Sequence, residues 1–93
     1  MDKRFKSIDP LRENDLLEAF YEQLLKGELT LSEAVKGMRR ASRLTQPEFA
    51  SHRDISLAAL RQIESGDGNP TVATLNKVGA IFGLEVGFVR RRR

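Results

Sequence analysis

Residues 44–70 constrain this chain more than any other stretch, because they predict two short helices on either side of a tight turn. Thr45 is placed to cap the first helix, with Gln46 and Pro47 in its opening turn and Phe49 and Ala50 facing inward. Arg53-Asp54-Ile55 makes the turn, Ser56 caps the second helix and Gly66 closes it. On that second helix Ala59, Leu60 and Ile63 form an inward stripe, while Ala58, Arg61, Gln62 and Ser65 recur along the outer one. Such a stripe suits a helix presented to the major groove of DNA. Small residues there allow close approach, and Arg and Gln match the edges of guanine and adenine.

The flanking sequence predicts three further helices and one strand. Residues 1–8 read as a polar leader and 9–29 as an accessory helix, with Asp9 as its cap and Pro10 in first position. Leu16, Leu17, Phe20, Tyr21, Leu24 and Leu25 recur at helical spacing along it, opposite Glu13, Asp15, Glu18 and Glu22, and Gly27 ends it. Thr30-Leu31-Ser32-Glu33 has the form of a capping box for a helix running through Ala34, Val35 and Met38 to about Arg43. After the loop Gly66-Asp67-Gly68-Asn69-Pro70, Thr71 caps a fifth helix with Val72, Leu75, Val78, Gly79 and Phe82 on one side, ended by Gly83. Residues 30–83 form the main domain. Residues 84–93 are expected to be a strand followed by the Arg90–Arg93 tail. A lone strand needs a partner, so Leu84, Val86, Phe88 and Val89 are assigned to pairing with a second copy of the chain.

Ninety-three residues with 40% apolar content suffice for one small core. The chain has no cysteine, which excludes disulfides and thiolate metal sites. It shows neither a secretory leader nor an apolar run of the roughly 18–20 residues that cross a bilayer. The expectation is a soluble protein of the prokaryotic cytoplasm, associated with the nucleoid and not with a membrane. Charge is unevenly placed. Residues 1–35 hold five Lys/Arg and eight Asp/Glu, net −3, whereas residues 36–93 hold eleven and five, net +6. A polyanion is drawn to the second part and kept from the first.

No catalytic constellation is visible. His52 is the single histidine, without a second His, a Cys or an acidic cluster near it to hold a metal. Ser51, Ser56 and Ser65 lack a base and its orienting partner. Gly66-Asp67-Gly68 lacks the Lys-Ser/Thr of a phosphate-binding loop. The chain reads as a non-enzyme with no cofactor.

Met38-Arg39, Leu44-Thr45-Gln46, Phe49-Ala50, Ile55-Ser56, Leu60, Ile63-Glu64-Ser65-Gly66, Asn69-Pro70, Leu75 and Phe82-Gly83-Leu84 together resemble the phage repressor/Cro (Xre-type) helix-turn-helix family. The likeness covers about half the chain. It implies an all-α fold, a five-helix bundle of the lambda repressor-like DNA-binding kind, here with a short C-terminal dimerisation strand. It also implies residue roles. Leu57, Ala58, Arg61 and Gln62 would face bases, and Ser56 and Gln46 the DNA backbone, with Asn69 at a second phosphate region. Arg39 and Glu64 would form a structural ion pair. Arg43 stands where a positive helix end can reach phosphate, and Arg53 is similar. Two positions depart from the pattern: Asp54 where glycine is frequent, and Arg53 where an apolar residue is usual. Asp tolerates the left-handed backbone a turn demands, and Arg53 is expected to project to solvent or DNA.

An ordinary solvated helix face is the alternative for Arg61 and Gln62, as core packing is for the apolar stripe of the first helix. The function these readings favour is a homodimeric repressor binding palindromic double-stranded DNA. An appended strand also resembles the dimeric antitoxins of toxin–antitoxin pairs, which implies a cognate toxin. The competing reading is a protein-interaction module that neutralises a partner protein, with DNA contact secondary.

Overall fold

The computed structural model describes the backbone of residues 10–90 and, within that range, side chains from residue 15 onward. The leader at residues 1–8, the Asp9 cap and Arg91–Arg93 lie outside the described residues. Among the described residues regular structure is entirely helical: α1 Pro10–Leu25, α2 Leu31–Ser42, α3 Gln46–His52, α4 Leu57–Ser65 and α5 Val72–Gly79, followed by a 3₁₀ turn at Ala80–Phe82. The chain divides into two compact units, Met1–Thr30 and Leu31–Arg93.

In the first unit Leu17, Phe20, Tyr21 and Leu24 share one half-buried face of α1, and Asp15, Glu18 and Glu22 are exposed. Leu16 and Leu25 fall off that face and are exposed. The helix closes on Gly27 at φ 71°, whose N–H donates to Leu24 O at 3.1 Å while that of Glu28 donates to Gln23 O at 3.0 Å. A residue without Cβ is favoured at such a left-handed cap.

The second unit has its core in Val35 and Met38 of α2, Phe49 and Ala50 of α3, Leu60 and Ile63 of α4, and Val78 of α5. Each large apolar side chain fully withdrawn from water contributes about 1.5–3 kcal/mol. α4 packs against both α2 and α3, and α5 against α2. The bundle around this core is therefore α2–α5, with α1 in the other unit. α2 ends at Ser42, one residue before the expected end, because Arg43 takes φ 59° and the N–H of Leu44 reverses onto Arg39 O. Val72 was expected on the inward side of α5, yet it is 58% exposed at the first position of that helix.

The expected C-terminal strand is not present among the described residues. A strand exists only where its backbone groups find a neighbouring strand, and the described residues of the second unit supply none. The segment is instead tied to α5. Gly83 turns the chain at φ 70°, Leu84 N–H bonds to Gly79 O at 3.0 Å, and Val86 N–H donates to Asn76 Oδ1 at 2.8 Å. A Cβ on Gly79 would lie 2.8 Å from Leu84 O, so the crossing needs glycine. Leu84, assigned to a dimer strand, is half-buried here within its own unit.

Candidate nucleic-acid interface

The two helices of residues 45–65 are fixed at both starts by side-chain caps. Thr45 Oγ1 accepts from the Glu48 N–H at 3.3 Å, and Glu48 Oε1 accepts from the Thr45 N–H at 2.9 Å, a reciprocal capping box. These bonds hold the Glu48 carboxyl below the usual carboxylate range. Ser56 Oγ accepts from the Ala59 N–H at 3.0 Å and starts α4, which Gly66 closes at φ 81°. Between the helices Asp54 adopts φ 57°, and Ile55 N–H returns to Ala50 O at 3.0 Å. Lys77 Nζ of α5 reaches the main-chain oxygen of Asp54 at 3.2 Å and its carboxylate at 3.5 Å.

Arg53 does not project to solvent. It is 8% exposed, and its guanidinium carbon sits 4.6 Å from the centre of the Phe49 ring. The left-handed turn at Asp54 leaves the arginine as the C-cap of α3, folded over the aromatic ring one helical turn earlier. Stacking on the ring face compensates in part for a buried Nε that has no hydrogen-bond partner among the described residues. Here an arginine supplies the apolar cover that a hydrocarbon side chain would otherwise give.

Glu64 organises the inner side of α4. Its carboxylate is 4% exposed and receives Arg39 Nε at 2.7 Å on Oε2 and Arg39 Nη2 at 3.0 Å on Oε1. Arg39 Nη1 continues to Leu44 O at 3.2 Å. Gln46 Nε2 donates to Glu64 Oε1 at 3.1 Å, and the Ser32 hydroxyl donates to the main-chain oxygen of Glu64. Burial by itself would raise this carboxyl. The hydrogen bonds from Arg39 and Gln46, with the charges of Arg39 and Lys36, overcome that and hold it below its ordinary value. The same pairing raises the Arg39 guanidinium.

With its inner side so held, α4 leaves Ala58, Arg61, Gln62 and Ser65 exposed and Leu57 half-buried. The following loop folds back on Gln62, whose main-chain oxygen accepts from the N–H groups of Asp67 at 3.1 Å and Gly68 at 3.2 Å. A half-open cleft of about 220 Å³ results, lined by Gln62, Gly68, Asn69, Thr71 and Thr74 among others. Gln62 and Asn69 thus border one depression. Ser56 and Asn69 are exposed, Gln46 is half-buried on Glu64, and Arg43 is exposed at the end of α2. Val86, Phe88 and Val89 are exposed on the segment beyond α5.

Over 61 residues the chain is similar to a phage protein. That relative is the Immunity repressor protein of Bacillus phage phi105, 30% identical over a stretch that covers 66% of this chain and 42% of the relative. The match spans less than half of the length of that curated relative. No family model matches the chain. No solved structure matches it either.

Sequence patterns did not indicate three of the contacts that shape the second unit: Gln46 on Glu64, Ser32 on the main chain of Glu64, and Asn76 on Val86. Each joins residues distant in sequence through a side chain of ordinary polar type. Only the spacing of Arg39 and Glu64 within the resemblance signalled that a network lay there. Among the described residues no helix is long and apolar enough to cross a membrane.

Proposed function

We propose that this chain is a sequence-specific DNA-binding transcriptional regulator, a dimeric repressor acting on a two-fold symmetric operator. The observation that carries the reading is the exposed stripe Ala58, Arg61, Gln62 and Ser65 on a helix whose opposite side is locked by Leu60, Ile63 and Glu64. Rigid presentation is what base readout requires, since Arg–guanine and Gln–adenine contacts each discriminate by about 1–3 kcal/mol only when both hydrogen bonds align. The net charge of +6 over residues 36–93 supports approach to phosphate. Likeness to a protein named an immunity repressor supports kinship with phage repressors.

In the dimer the two α4 helices face successive major grooves about 34 Å apart. The exposed side chains of Val86, Phe88 and Val89 support the C-terminal segment as the contact between copies, with Phe88 and Val89 at 107% and 89% exposure. The test is a salt titration on random-sequence duplex followed by selection of preferred sites. Affinity should fall steeply with salt, and the selected site should be palindromic. A chain with no duplex affinity at low salt would be a protein-interaction module instead.

A further inference from the structure

Beyond the bond from the Val86 N–H to Asn76, the C-terminal segment stands clear of α5. Val86, Phe88, Val89 and Arg90 are exposed, and a Cβ on Gly87 would meet no atom of the described residues within 4 Å. Apolar side chains held in water are driven towards any surface that can cover them. Charge decides which surface can serve. Residues 84–93 hold four Arg and one Glu, net +3, so the same segment of a second copy meets it with +3 against +3.

The first helix offers the opposite sign. Residues 10–30 hold two Lys/Arg and five Asp/Glu, net −3. Asp15, Glu18 and Glu22 follow one another at spacings of three and four and form an exposed stripe, turned away from half-buried Leu17, Phe20, Tyr21 and Leu24. None of these three carboxylates makes an ion pair among the described residues. Exposed Leu16 lies beside the stripe and exposed Leu25 at its end. Two α1 helices meeting would set −3 against −3. The crossed arrangement alone sets −3 against +3 and also gives Phe88 and Val89 apolar side chains to cover.

We infer that the contact between copies is crossed: the segment 86–90 of one copy lies on the exposed acidic stripe of α1 of a second copy. Phe88 and Val89 pack on the exposed leucines, and Arg90 meets the carboxylates. The inference rests on the dimeric reading above and names the surface that receives its C-terminal segment. Two-fold symmetry makes the contact occur twice, each copy giving a segment and receiving one.

A charge swap read by sedimentation of the full chain without DNA tests it. Glu18→Lys with Glu22→Lys turns the −3 of residues 10–30 into +1, and Arg90→Glu with Arg91→Glu turns the +3 of residues 84–93 into −1. Either variant alone sets like charges at both contacts and should raise the dimer dissociation constant at least roughly tenfold. Mixed in equal amounts, the two variants should recover a dimer holding one of each. The wild-type dimer should weaken as salt rises, because screening reduces attraction between opposite charges. An acid-reversed variant that dimerises like wild type, or a mixture that recovers no dimer, overturns the crossed contact and leaves the dimeric reading intact. Thermal melts check that each variant is folded. If the lysine pair does not fold, Glu18→Gln with Glu22→Gln replaces it; that variant should still raise the constant more than about twofold, and an unchanged constant overturns the inference. A wild type that sediments as a monomer at every concentration locates the failure in the dimeric reading, and the crossed contact falls with it.

Discussion

Withdrawing a carboxylate from water is costly, and the Glu64 side chain tolerates 4% exposure only because three groups from α2 and α3 bond to it. Removing one partner strands the other. Glu64→Ala should therefore destabilise the fold by about 3 kcal/mol, the lower end of the range for a broken buried pair because Arg39 keeps 20% of its side chain in water. Arg39→Met with Glu64→Leu should cost less than either single change, as urea melts would register. The pH dependence has a definite sign. A folded-state value below the unfolded one, about 4.3 for glutamate, means the stabilisation is fully present above that pH and disappears as pH falls through the folded value. Melts between neutral pH and pH 3 should show this loss, and Glu64→Gln should flatten it. Glu48 contributes with the same sign. Arg53 behaves differently from Arg39: with Phe49 beneath it, truncation to Ala removes packing more than charge.

Short helices such as α3 and α4, of seven and nine residues, do not hold themselves together in water, so their ends matter. Ser56→Ala removes the acceptor for the Ala59 N–H and should cost about 1 kcal/mol, measurable by thermal denaturation. The end of α5 depends on a different constraint. Gly79 has ordinary helical φ, so glycine is required there by space and not by backbone conformation. Gly79→Ala drives a methyl against the main-chain oxygen of Leu84 and should destabilise by about 1–3 kcal/mol. Faster hydrogen exchange at the Val86 amide, now bonded to Asn76, would show that the C-terminal segment has lifted from α5. Unchanged exchange would mean that segment is held by something other than this crossing.

For the whole molecule the expectations concern assembly and choice of DNA. Deleting residues 87–93 leaves Leu84 and the Asn76–Val86 bond in place while removing Phe88 and Val89. The truncated chain should sediment as a monomer and bind a symmetric site far more weakly; a dimeric truncation would move the contact elsewhere. Arg61→Ala and Gln62→Ala touch an exposed face, so stability should change by no more than about 0.5 kcal/mol. Sequence preference should relax at separate base positions in the two variants, as selection from a randomised duplex pool would report.

The local rules were legible in the chain itself. Helical spacing located α1 through α5, Thr45 and Ser56 marked two starts, Gly66 marked the end of α4, and Asp54 took the left-handed turn its side chain tolerates, whereas α5 stops at Gly79 and Gly83 closes only the 3₁₀ turn after it. Those features depend on residues within a few positions of one another, where backbone sterics and capping decide. Burial is decided by what lies across the fold, so sequence misplaced Arg53, Val72 and the 84–90 segment. An arginine beside a turn looks destined for water until Phe49 offers a ring face, and a β-prone segment is a strand only when a second strand exists to meet it. The exposed stripe of α4 was written in one dimension; the Glu64 network that holds it still required three helices to converge.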